Sequence, residues 1–164
     1  MSRKISAYGR KLARQQAVRA DPMALYRTMG KIQHFTQDEL VQLTTPPRVA
    51  FESLRRGHGT EFDFHTLAGV ANNTLICAES IHPDCVEVAQ KAQNALMRML
   101  ERANRLGTWG LDSAGLQDLP PVLDLHEQLL ALHTPMQMQG AMRETIQRMK
   151  DGQTLSMESV AKPA

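Results

Sequence analysis

A chain of 164 residues and 18.3 kDa fits one domain with an appended arm. Its 42% hydrophobic and 22% charged residues are globular in balance, which excludes a wholly disordered chain. Aromatics make up only 4%, so the core falls to Leu, Ala, Val and ten Met, which argues against an immunoglobulin-like sandwich or an aromatic-rich barrel.

The net charge of +2 hides an asymmetry. Residues 1–20 carry Arg3, Lys4, Arg10, Lys11, Arg14 and Arg19 and no acid, leaving 13 bases against 17 acids elsewhere, a net of −4. A basic head on a mildly acidic body points to an anionic partner, against the plainer reading of a solvated arm. The head lacks the apolar run of a signal peptide; its acid-free composition also resembles an organelle transit peptide, without a cleavage signal.

Asp21-Pro22 opens a short helix ending near Gly30, with Asp as cap and Pro in the first turn. Thr36 and Glu39 form a capping box for a helix expected to end near Thr44. Thr45-Pro46-Pro47 then starts another, ending at Arg56-Gly57. A helix-turn-helix is one reading of 36–56, with Arg48, Arg55 and Arg56 on its second helix. The prolines at that helix's start and the two Arg at its far end suit base-edge recognition poorly.

Thr60, with Asp63 three residues on, starts a segment over 61–81 that is apolar on most sides, as a central helix is. Gly69 and Asn72-Asn73 make a bend conceivable there. Residues 84–106 carry the cleanest helical signal: Cys85, Val88, Ala89, Ala92, Ala95, Leu96, Met99, Leu100, Ala103 and Leu106 form one stripe opposite a charged face that includes Arg98, Arg102 and Arg105. That stripe can be satisfied within the chain or across a homodimer. Trp109, bracketed by Gly107 and Gly110, is either a lid on the bundle end or an exposed binding anchor.

Asp118 caps a helix with Pro120-Pro121 in its first turn and a stripe running from Leu119 to His133. Thr134-Pro135 starts the last helix, with Met138, Met142, Ile146 and Met149 expected inward. The concentration of Met here is core filler or an adaptable docking surface. Residues 153–164 read as a flexible tail. No window alternates with period two.

The expected fold is therefore all-α: a single-domain helical bundle of about five main helices over 21–152, with short N-terminal helices packed on one side. No apolar run reaches the ~18 residues of a membrane span. Cys77 and Cys85 form no CxxC pair, which suits a reducing cytoplasm.

Glu79 and His82 have the Glu-x-x-His spacing of di-iron bundles, but it occurs once, where such a site needs it twice. His126 and His133 lie ~10 Å apart along one helix, too far to share an ion unaided. No P-loop, GxSxG or HExxH is present. The expectation is a non-catalytic accessory protein, without cofactor or metal, that docks to a protein or nucleoprotein complex. Its contact residues are the six bases of the arm together with Arg48, Arg55, Arg56 and Trp109. The alternatives are a DNA-binding regulator using 36–56 and a metal-dependent helical enzyme.

Overall fold

The computed structural model describes residues 33–155. The basic arm, the segment 21–30 expected to be helical and residues 156–164 lie outside that range. Five helices follow one another: α1 (Gln37–Arg55), α2 (Glu61–Ala78), α3 (Pro83–Leu106), α4 (Ser113–Leu132) and α5 (Pro135–Lys150). The bundle is all-α, and the described residues contain no named strand.

Helix starts follow the local chemistry closely. Thr36 with Glu39, Thr60 with Asp63 and Thr134 with Gln137 each form a complete capping box. In each box the threonine hydroxyl accepts from the third helical N–H, while the third side chain accepts from the cap's own N–H. His82 caps α3, its ring nitrogen accepting from the Asp84 N–H, with Pro83 in the first turn. Gly107 ends α3 in the left-handed region at φ 71°, which glycine adopts without a Cβ clash.

Two expected boundaries are wrong, both at diprolines. Segment 36–56 is not two helices: α1 runs unbroken through Pro46 and Pro47, so the turn of a helix-turn-helix is missing. Likewise α4 starts at Asp112, not Asp118, and carries Pro120 and Pro121 in its interior. Each proline removes an N–H that would serve the carbonyl four residues back. Those carbonyls belong to Gln42, Leu43, Leu116 and Gln117, all exposed, so water can serve them. In α1 the hydroxyls of Thr44 and Thr45 also donate back to the carbonyls of Leu40 and Val41 at 2.9 and 2.6 Å. Packing of Pro47, Ala50 and Leu54 in α1, and of Leu119, Val122 and Leu123 in α4, then holds each helix together past its break.

α2 is the central element and touches all four other helices. Its buried residues, Phe64 to Ala78, face several neighbours at once. Both ends depart from the all-round apolar reading over 61–81: Phe62 is 76% exposed, and the helix stops at Ala78, leaving Ile81 outside it and 47% exposed. The α3 stripe is buried within the chain from Ala89 to Ala103, which removes the need for a dimer to cover it. Its alanines leave room for close helix approach.

The chain past Gly152 does not fray at once, against the expected tail boundary at 153. Leu155 is buried in the main core. Asn72 donates to the Leu155 carbonyl at 2.8 Å and accepts from Gln93 and the Thr154 hydroxyl, both at 2.8 Å. Gln93 also donates to the Thr154 hydroxyl at 3.0 Å. A buried amide in mid-helix needs partners, and the C-terminal strap supplies them.

Candidate interaction surface

Because α1 is one helix, its outer side is a continuous face. Val41, Thr45 and Val49 recur at four-residue spacing, with Val41 52% and Val49 60% exposed. Phe62, at the start of α2, borders the same face. Two open depressions of about 540 and 500 Å³ share Thr45 and Val49. One runs toward Arg56 and His58, the other toward Val41 and Phe62. Together they make a shallow trough, apolar toward Val41 and Phe62 and lined by Arg48, Glu52, Arg56 and His58 at its other end.

The arginines assigned to binding are engaged within the fold. Arg48 donates from one nitrogen to Asp124 and Glu127, each at 2.8 Å, tying α1 to α4. These carboxylates hold its guanidinium firmly protonated, above the ordinary range. Arg55 forks onto Glu52 and Arg56 reaches the same carboxylate at 3.6 Å. Glu52 is held below the usual carboxylate range, chiefly by Arg55. Arg3, Lys4, Arg10, Lys11, Arg14 and Arg19 lie outside the described residues.

Trp109 is half-buried rather than projecting. Its ring lies 5.6 Å from Phe64 at a 41° tilt, and its backbone pairs with Gly59 in an isolated antiparallel bridge. The indole thus covers the end of the core and joins the α1–α2 and α3–α4 loops. A Cβ on Gly59 would run into the Leu54 side chain and come within 3.0 Å of the Trp109 carbonyl, so glycine is required there.

Beside this loop pair, Arg98 and Arg102 both donate to Asp112 at 3.2 Å. Burial raises the Asp112 carboxyl, but the Gly115 N–H and the two guanidiniums outweigh it and hold it low. The basic strip read along α3 is therefore partly neutralised.

A second apolar face lies on α5. Met142 and Ile146, expected inward, are 57% and 48% exposed. Met138 is inward as expected, joined by Ala141, Thr145 and Arg148. Arg148 forks onto Glu79 at 2.6 and 2.9 Å and reaches Glu144 at 2.9 Å. The Glu79 contact ties α5 to the end of α2.

The reactive side chains are in structural roles. Glu79 is taken by Arg148 and His82 by its capping bond, so the Glu-x-x-His pair is divided between two tasks. His126 is buried, its Nδ1 3.1 Å from the Thr74 hydroxyl, and burial lowers its pKa to about 4. His133 lies with Nδ1 2.8 Å from the Leu129 carbonyl. The Cys77 thiol contacts the Met138 sulfur at 3.9 Å, and burial pushes its pKa up, away from a reactive thiolate. Among the described residues, no three His, Cys, Asp or Glu side chains gather where one metal ion could be held. No described helix is long and apolar enough to cross a membrane.

The trough was not legible from the residues because the diproline was read as a helix boundary. Counting Val41, Thr45 and Val49 on one uninterrupted helix would have revealed it. The comparisons with protein-family models, curated proteins and solved structures match nothing to this chain.

Proposed function

We propose that this protein is a non-catalytic accessory protein that docks to a protein or nucleoprotein complex, drawn to it by its basic N-terminal arm. The observation that carries this reading is the segregation of charge. Residues 33–155 contain ten bases and 15 acids, a net of −5. Seven of those ten bases sit in ion pairs within the bundle. Residues 1–32 contain eight bases and one acid, a net of +7. Positive charge available to a partner is thus concentrated in the arm, and the body repels the same anionic surface. Such a division favours one orientation of approach and fast, salt-sensitive association. Arm contacts of this kind raise affinity without reading sequence. The two unpaired thiols, Cys77 and Cys85, suit action in a reducing cytoplasm.

The test is affinity capture from native extract at low and physiological salt, with the wild-type chain and a chain in which Arg3, Lys4, Arg10, Lys11, Arg14 and Arg19 are replaced by Gln. A partner recovered in fixed stoichiometry with wild type and lost with the neutralised arm is the expected result. Nuclease treatment then separates a nucleoprotein from a protein partner. No stoichiometric partner at either salt concentration would overturn the reading.

A further inference from the structure

We propose that Asn72 and Gln93 form a clamp for an extended peptide segment carrying Thr or Ser followed by Leu. The chain's own Thr154-Leu155 holds that site shut until a partner's segment of the same chemistry takes its place. The site lies on α2 and α3, apart from the arm, and does not depend on it. A tight turn delivers the strap. Gly152, at φ 67°, reverses the chain, and the Gly152 and Gln153 N–H groups donate to the carbonyls of Met149 and Arg148 at 3.2 and 2.8 Å. Three features of the strap are then read. Asn72 donates its amide to the Leu155 main-chain carbonyl at 2.8 Å. The Thr154 hydroxyl donates to Asn72 Oδ1 at 2.8 Å and accepts from Gln93 at 3.0 Å. The Leu155 side chain is buried in the main core. A hydroxyl, a main-chain carbonyl and one Leu are what any Thr-Leu or Ser-Leu pair presents, so the same contacts can be supplied in trans.

Clamp and strap are held very differently. Asn72 is buried on the central helix, and Gln93 stands half-buried on α3, packed beside it. The strap hangs from α5, which buries only Met138 and Thr145. The Thr145 hydroxyl is itself buried with no hydrogen-bond partner among the described residues, which weakens the seat of α5. When α5 lifts, the strap leaves with it and the clamp stays. The Asn72 amide then lacks its acceptor and the apolar seat of Leu155 is uncovered, a cost that an incoming segment relieves. An open cavity of about 250 Å³, bordered by Gln93, Asn94 and Met97, adjoins the strap and has room for a further residue of a longer ligand. In cis, the tether keeps the strap at roughly millimolar effective concentration, which closes the site to weak competitors.

Fluorescence anisotropy of a labelled peptide, Asp-Gly-Gln-Thr-Leu-amide, which repeats residues 151–155, tests this on full-length chains. Replacing Thr154→Gly and Leu155→Gly together releases the strap and leaves the clamp intact. The peptide should bind that chain at least ~10-fold more tightly than wild type, where the tethered strap competes. Peptides with Val in place of Thr, or Asp in place of Leu, should each bind roughly 10-fold more weakly than the parent, as should the parent when Gln93→Ala is added to the chain. Should the released chain not fold alone, the peptide should restore its helical circular dichroism, and the Asp-bearing peptide should not. Equal binding of all the peptides would overturn the proposal. So would no binding to a released chain whose α3 amides keep their exchange protection, or an unfolded chain that the peptide cannot restore. A wild-type mass of two chains that the glycine pair reduces to one would assign the clamp to a second copy's strap, and would overturn it as well.

Discussion

At the scale of single residues, the buried polar side chains decide most. His126 stays neutral because burial disfavours the imidazolium, and its pKa falls from 6.5 to about 4. The unfolded chain therefore binds a proton that the folded chain does not, throughout the window between those values. Stability contributed by the neutral ring is complete above pH ~6.5 and is lost as pH falls toward 4, by about 3 kcal/mol in all. Urea midpoints measured between pH 7 and 4.5 should fall steadily for wild type. His126→Gln, which keeps a partner for Thr74 without the titration, should flatten that fall; an identical slope in both proteins contradicts the assignment. Asn72 makes a second demand of this kind. Replacing it with Ala strands the Leu155 carbonyl and leaves Gln93 only the Thr154 hydroxyl, at a cost of about 1–3 kcal/mol. The urea midpoint should drop accordingly.

At the scale of elements, caps and periodic stripes made the starts of α1, α2, α3 and α5 readable, because those signals are local. The diproline segments misled for the opposite reason. Proline's local cost is about 3 kcal/mol in a helix interior, and only tertiary burial on the far side of Pro47 and Pro121 outweighs it. Met142 and Ile146 were misread as inward because α5 offers two apolar faces, and packing of Met138 on Cys77, Leu129 and Leu130 chooses between them. The exposed glycines give a cleaner local experiment. Gly69 in α2 and Gly140 in α5 are helical, and a Cβ at either meets nothing within 4 Å. Each Gly→Ala change should therefore raise stability by about 0.5–1 kcal/mol, through helix propensity and a less free unfolded chain. Gly59→Ala should do the reverse, since its Cβ collides with Leu54 beneath Trp109. Thermal unfolding of the three variants gives the comparison, and a destabilised Gly69→Ala would mean that α2 is closely covered at that point.

At the scale of the whole molecule, cohesion is uneven. α2, α3 and α4 pack on one another in all three pairings, whereas the substantial contact of α5 is with α2 alone. Only Met138 and Thr145 of α5 are buried, and its other tie to α2 is the Arg148–Glu79 ion pair, since Arg148–Glu144 lies within α5. The Arg148–Glu79 pair is partly solvated and contributes about 0–1 kcal/mol. The strap that follows, Thr154 and Leu155, is anchored on α2 and α3 by Asn72 and Gln93. α5 and the strap are thus held by few apolar contacts at one end and one hydrogen-bonded anchor at the other, so they form a unit that opens before the rest. Native-state exchange at increasing urea should show the α5 amides and that of Gln153, which donates to the Arg148 carbonyl, sharing one opening free energy, below that of α2 and α3. Asn72→Ala should lower the α5 value by more than it lowers that of α3, because the anchor is lost while the α3 stripe stays buried. Exchange through one global opening for every helix, in both proteins, would mean that α5 is as fully committed to the core as α3.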